Sequence, residues 1–162
     1  MKNNAVSIIM YHYVRDLKNS RYPAIKGLDI DLFKEQIRYL INHYKFITME
    51  MLISAIENKS SIPSKSVLLT FDDAYIDHFE YVFPFLDKLK IQGSFFPPVK
   101  AITEHTVLDV NKIHFILASE ENKSKIIEEI KVELKKHRNE YNLKSDSFYF
   151  EKLAHKTRFD SA

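Results

Sequence analysis

The sequence predicts an α/β fold in which short parallel strands alternate with crossover helices, followed by a helical region. Two observations carry this. Over roughly the first hundred residues, short apolar runs and segments of helical period alternate as strand, helix, strand, helix, strand, helix, strand. A helix between strands returns the chain to the same end of the sheet, so such alternation calls for parallel neighbours. One run, Val67–Phe71, is almost unbrokenly apolar, the pattern of a strand buried on both faces. After residue 100 no strand pattern recurs.

Ala5–Tyr11 is short and rich in β-branched residues (Val6, Ile8, Ile9), which predicts a buried strand. Arg15–Leu28 is polar, holds Pro23 and Gly27, and reads as a loop. Asp29 or Asp31 caps the next helix. In that helix Phe33, Ile37, Leu40, Ile41 and Tyr44 recur at helical spacing and define a buried face. Lys45–Ile47 is a short strand, and Thr48 caps a helix carrying Met51, Leu52 and Ile56. Asn58–Ser66 is a Ser/Lys/Pro loop.

The stretch after Val67–Phe71 carries Phe79, Val82, Phe83, Leu86 and Leu89, with Pro84 inside it. A proline there predicts a bend or two short helices. Gly93 is expected to end the stretch in a left-handed cap. Ser94–Phe96 is a strand stopped by Pro97 and Pro98. Strands are thus expected at about residues 5–11, 45–47, 67–71 and 94–97. Val107–Leu117 and Asn122–Tyr141 read as helices, the second with Ile126, Ile127, Ile130 and Leu134 on one face. Phe148–Leu153 reads as a further helical turn. The whole, 1–162, is read as one domain, with an α/β core over 1–100 and a helical part over 101–162.

Composition narrows the partners. Hydrophobic residues at 45% and aromatic residues at 13% suit a folded domain rather than a disordered chain. A net charge of +2 gives no global field for nucleic acid or a membrane surface. In Asn122–Tyr141 the lysines are offset by Glu128, Glu129, Glu133 and Glu140, so a solvated face over an apolar stripe is the better reading. Absence of cysteine excludes disulfides and thiolate metal sites. The N-terminal apolar run is short and is interrupted by His12 and Arg15, and no stretch approaches the roughly 20 apolar residues of a membrane helix. The expectation is a cytoplasmic protein with neither nucleic acid nor membrane as partner.

The chemistry centres on Leu68-Leu69-Thr70-Phe71-Asp72-Asp73, two adjacent carboxylates where a buried strand runs into a helix. Sites form at the carboxyl ends of parallel strands. Two such charges repel, and a cation relieves them. Helix capping by Asp72 and Asp73 is the other reading open on residue chemistry alone. Paired aspartates also suit magnesium-assisted phosphoryl transfer, but only two glycines occur and no Gly-rich phosphate loop is present. His12, at the end of the first strand, either lines the site or serves as a structural hydrogen bonder. His78 is expected on a helix surface; Asp77 is either a partner of the site or, as expected, a solvated helix residue. His105 and His114 match no helical face or ligand motif.

Thr70-Phe71-Asp72-Asp73 resembles the first motif of the polysaccharide deacetylase (NodB-like) family, and Tyr11-His12-Tyr13-Val14 is similar to that family's first-strand signature. Tyr75, Pro84, Leu86, Gly93 and Phe95-Phe96 fall where members carry matching residues, so the resemblance covers roughly residues 5 to 100. It implies a partial, distorted (β/α) barrel with a helical C-terminal insertion. It also implies a hydrolase that removes N-acetyl or O-acetyl groups from a carbohydrate, with surface-polysaccharide metabolism as the setting. By resemblance Asp72 is the catalytic base, Asp73 a ligand of a divalent metal, zinc by that resemblance, and His12 a substrate-lining residue.

Two departures qualify this. Ala74 stands where the family has glycine, and alanine tolerates positive φ only at a cost. The family's later His-x-x-x-His motif, source of two metal ligands, has no counterpart: none of the seven histidines stands four residues from another. The expectation is a truncated chain, a fragment, or one half of a split protein whose second polypeptide supplies the missing half. An inactive fragment that binds carbohydrate or such a polypeptide is the alternative to an enzyme.

Overall fold

The computed structural model describes residues 5–152. Along the chain it places β1 (Val6–Tyr11), β2 (Val14–Arg15), β3 (Leu28–Asp29), α1 (Ile30–His43), β4 (Lys45–Phe46), α2 (Met49–Glu57) and β5 (Ser66–Asp72). A π-helical turn (His78–Val82) then leads into α3 (Phe83–Lys88), β6 (Gly93–Phe96), α4 (Val99–Thr103), α5 (Asp109–Ser119), α6 (Lys123–His137) and α7 (Asp146–Lys152). The four principal strands lie within a residue or two of the expected positions. The chain parts into two compact units, Met1–Ser119 and Glu120–Ala162.

In the first unit β5 is the centre. Val67, Leu68, Leu69 and Phe71 are fully buried. β5 pairs in parallel with β1 along its length, with β4 at Ser66 and Val67, and with β6 over Leu69–Asp72. This is the parallel α/β arrangement the alternation demanded, with crossover helices between the strands. β1 differs from expectation. Ile9 and Tyr11 turn toward the core, but Ile8 and Met10 are 55% and 60% exposed. β1 ends the sheet, and no element of the described residues covers that face.

The Asp29 side chain accepts the Asp31 N–H and caps α1, and Thr48 Oγ1 accepts the Met51 N–H and caps α2. Phe33, Ile37 and Leu40 face the core from α1. Ile41, expected beside them, is exposed, because one residue past Leu40 turns it by about 100° around the helix. The segment expected to be a loop, Arg15–Leu28, is bounded by β2 and β3, which pair in parallel as a separate small sheet.

Pro84 divides the helix after β5 as expected. Lacking an N–H, it sits in the first turn of α3, where a donor is not missed. The turn before it widens, and the Phe83 N–H reaches the His78 carbonyl five residues back.

Gly93 does not cap the helix, and no glycine here has positive φ. Lys90 takes the left-handed position instead (φ 57°). Its N–H bonds the Asp87 carbonyl and the Ile91 N–H the Leu86 carbonyl, both at 3.0 Å, which is a Schellman closure. Gly93 opens β6, where it is needed for close approach. A Cβ there would lie 2.7 Å from Phe71 Cε2 and 3.4 Å from Leu86 Cδ1.

In the second unit Asn122 caps α6 by accepting the Ser124 N–H. Ile126 and Leu134 are half-buried, while Ile127 and Ile130 are exposed. Arg138 pairs with Asp146, and the Lys131 ammonium lies 5.4 Å from the Phe150 ring centre. Helix α7 begins at Asp146, two residues before the expected turn at Phe148; Leu153, its expected last residue, lies outside the described residues, as do His155 and the C-terminal end. No helix among the described residues is long and apolar enough to cross a membrane.

The Phe71 ring is stacked between Tyr11 (5.2 Å) and Phe95 (4.8 Å), so it cannot yield to an added methyl at Gly93. Gly93→Ala is expected to cost about 1–3 kcal/mol by overpacking, measured as a lowered urea midpoint at unchanged slope.

Candidate active site

The site follows from strand register. Tyr11 lies opposite Phe71, so His12 and Asp72 leave the carboxyl ends of neighbouring parallel strands together. His12 Nε2 stands 3.8 Å from Asp72 Oδ2, with side chains 46% and 30% exposed, so both are open to solvent. Asp73 leaves the sheet differently. Its N–H still bonds the Phe96 carbonyl (3.2 Å), but its φ is +70° and that of Ala74 is +47°. Two successive non-glycine residues in the left-handed region make a sharp, strained turn.

Asp73 is held from beyond this turn. Tyr75 donates its hydroxyl to Asp73 Oδ2 at 2.6 Å, and Asn111 Nδ2 on α5 donates to the Tyr75 oxygen at 2.7 Å. Asn111 Nδ2 also donates to the Tyr13 oxygen (3.2 Å), and His114 Nδ1 lies 3.3 Å from the same oxygen. The rings of Tyr13 and Tyr75 stack at 4.0 Å. Burial, together with the bond to Asp73, pushes the Tyr75 phenol far above its ordinary value, so it remains a donor.

Two expectations are overturned. His78 is not on the surface: it is 3% exposed, among the rings of Phe71, Tyr75 and Phe95. Its Nε2 lies 2.6 Å from the His12 carbonyl. A carbonyl only accepts, so Nε2 carries the proton, and Nδ1 is buried without a partner. Burial lowers the His78 pKa, and the ring is neutral. Asp77 is not solvated: it is 6% exposed, and Oδ2 accepts Arg15 Nε (2.8 Å) and Nη2 (2.6 Å). The widened helical turn rolls both residues inward, and Arg15 reaches Asp77 across 62 residues of sequence. Sequence reasoning missed Arg15, Tyr13 and Asn111. The one available signal was the position of Tyr13 within the first-strand signature and of Arg15 directly after it.

The residues brought together do not complete a metal site. Among the described residues no group of three or more His, Cys, Asp or Glu side chains is placed to hold a metal ion. Asp73 has one carboxylate oxygen taken by Tyr75, and His114 is engaged with Tyr13. His105 is exposed, in the left-handed region after α4.

The chain itself falls within a known class of proteins. The family model for polysaccharide deacetylase matches residues 59–148, more than half of the chain, and the chain belongs to that family. Among solved structures it is similar to IcaB from Ammonifex degensii, with 29% identity, a TM-score of 0.50, and coverage of 59% of this chain and 39% of that one. It is also similar to a de-N-acetylase from Aggregatibacter actinomycetemcomitans, at 26% identity and TM-score 0.49, covering 57% of this chain and 37% of that one. A third is the deacetylase PplD from Streptococcus pyogenes, in complex with acetate, at 26% identity and TM-score 0.49, covering 62% of this chain and 45% of that one. The chain thus spans less than half the length of these proteins. No curated protein matches it.

Two outcomes follow. Ala74→Gly is expected to stabilise the chain by about 0.5–1 kcal/mol, because relief of left-handed strain exceeds the added backbone entropy of the unfolded chain; denaturant unfolding measures it. His78, with its folded pKa below the ordinary value, binds fewer protons folded than unfolded. Its stabilising effect is complete above about pH 6.5 and is lost as pH falls below that value. Unfolding free energy of the parent chain is expected to drop more steeply below pH 6.5 than that of His78→Gln.

Proposed function

We propose that this chain carries the aspartate half of a carbohydrate deacetylase site, acting on the amide of an N-acetylated sugar. The observation that supports it is the convergence of His12, Asp72 and Asp73 at the carboxyl ends of β1 and β5, in a chain of the polysaccharide deacetylase family.

The roles follow from environment. Asp72 is partly exposed, has no hydrogen-bond partner among the described residues, and is the group free to take a proton from an attacking water. Water adds to the acetyl carbon, the C–N bond breaks, and acetate and a free amine leave. His12 flanks Asp72 and faces the substrate. Asp73, pinned through Oδ2 by Tyr75, presents its other oxygen as one ligand for a divalent metal, zinc by resemblance to the family. That ion would polarise the acetyl carbonyl. The other ligands are supplied from outside the described residues.

A single carboxylate holds a hydrated divalent ion weakly. The 162-residue chain is therefore expected to bind zinc weakly and to release little acetate from N-acetylglucosamine oligomers. Joined to a second half bearing the family's paired histidines, it is expected to release acetate in a zinc-dependent way. Asp72→Asn is expected to reduce that rate by about 10²–10⁴-fold, and Asp73→Ala to abolish it. Failure of the joined protein to release acetate from any N-acetylated sugar would overturn the proposal.

A further inference from the structure

Strand register brings His12 and Asp72 to neighbouring strand ends, but it does not fix how the chain turns at His12. The β1–β5 ladder closes at Tyr11 and Phe71. His12 lies one residue beyond it, at a bend between β1 and β2, and β2 belongs to the separate small sheet. The direction of such a joint is set by whatever holds its peptide groups. At His12 a side chain does so: His78 Nε2 donates to the His12 carbonyl at 2.6 Å, across 66 residues of sequence.

His78 is itself firmly placed. Its ring is 3% exposed and boxed by Phe71, Tyr75 and Phe95, with ring centres 5.5, 5.7 and 6.0 Å away. Its backbone is tied on both sides, the N–H to the Tyr75 carbonyl at 2.9 Å and the carbonyl to the Phe83 N–H. A box of three aromatic rings suits phenylalanine better than histidine. Nδ1 is buried without a partner, and an unmatched buried acceptor carries a cost that an apolar ring of similar size avoids. What histidine does here and phenylalanine does not is donate from Nε2 to His12. The same short segment serves Asp73. Tyr75, whose carbonyl takes the His78 N–H, donates its hydroxyl to Asp73 Oδ2 at 2.6 Å. Residues 75–78 therefore fasten both sides of the site, Asp73 through its side chain and His12 through its backbone.

We propose that His78 is a positioning residue of the site: by holding the His12 carbonyl it sets the bend that turns the His12 side chain toward Asp72, 3.8 Å away. It acts through His12 and touches neither substrate nor the reacting atoms. The proposal rests on the deacetylase reading for what His12 and Asp72 act on; the brace itself does not depend on that reading.

The test is NMR on the isotope-labelled 162-residue chain and three variants. In the parent chain the imidazole nitrogen shifts report the tautomer, and Nε2 is expected to carry the His78 proton, in slow exchange with water. Glutamine places its amide nitrogen about where histidine has Nε2, asparagine reaches only as far as Nδ1, and phenylalanine fills the box with no donor. His78→Gln is expected to keep the His12 carbonyl-carbon and ring signals at their parent positions. His78→Asn and His78→Phe are expected to move the carbonyl-carbon signal upfield and the ring signals toward those of a histidine in an unfolded chain, while the amides of Val67–Leu69 stay in place. A role in packing alone gives the opposite order, with His78→Phe closest to the parent, and that result would overturn the proposal. So would a parent ring protonated at Nδ1, which is read on the parent chain and needs no variant to fold. Acetate release by the joined protein tests the deacetylase reading separately. Its absence, with the contrast between His78→Gln and His78→Asn intact, leaves the brace standing; its presence without that contrast leaves only the reading.

Discussion

Parallel pairing of β1 with β5, in the register that sets Tyr11 against Phe71, is the constraint on which the rest depends. It is enforced by burial: Phe71 packs between Tyr11 and Phe95 with Phe33 at its edge, and Phe71, Phe33 and Tyr11 are buried. A slip of one residue would turn every inward side chain outward. The side chain of the next residue on each strand is therefore placed without a hydrogen bond of its own among the described residues. His12 and Asp72 meet because their predecessors are buried together, which leaves their side chains solvated and chemically available.

Asp73 is governed by a different economy. Its turn is strained, with Ala74 where the family has glycine, and the position is maintained by bonds from Tyr75 and, behind it, Asn111. Asn111 is 8% exposed and spends both hydrogens of its amide nitrogen on tyrosine oxygens. Buried polar networks of this kind stiffen a site when their members are satisfied. Helix α5 thereby belongs mechanically with the α/β core, and the compact unit extends to Ser119 rather than ending near residue 100.

What could be read from the sequence was what local pattern encodes. Periodicity located the strands, the buried face of α1 and the helical region, and side-chain chemistry located the caps at Asp29 and Thr48. The two aspartates were legible as a site because they ended the most apolar strand. Arg15–Asp77 was not, since a contact across 62 residues leaves no periodic trace. His78 was misread because a regular 3.6-residue helix would have turned it outward; the widened turn ahead of Pro84 changes the angle. Gly93 was misread for a related reason. A glycine near a helix end suggests a backbone need, but here the need is space beside Phe71, and Lys90 bears the left-handed conformation.

The outer edge of β1 has a consequence for handling the protein. Val6-Ser7-Ile8-Ile9-Met10-Tyr11 is an uncharged, proline-free strand with one free edge among the described residues and two large apolar side chains in solvent. Natural sheets guard such edges with lysine, proline or a bulge, and none of these occurs within this strand. Six-residue segments of this composition seed cross-β stacking between molecules. Recovery during expression should therefore depend on protein concentration more than on intrinsic stability, and a charge at the outward-facing Ile8 or Met10 would improve colloidal behaviour without touching the buried register.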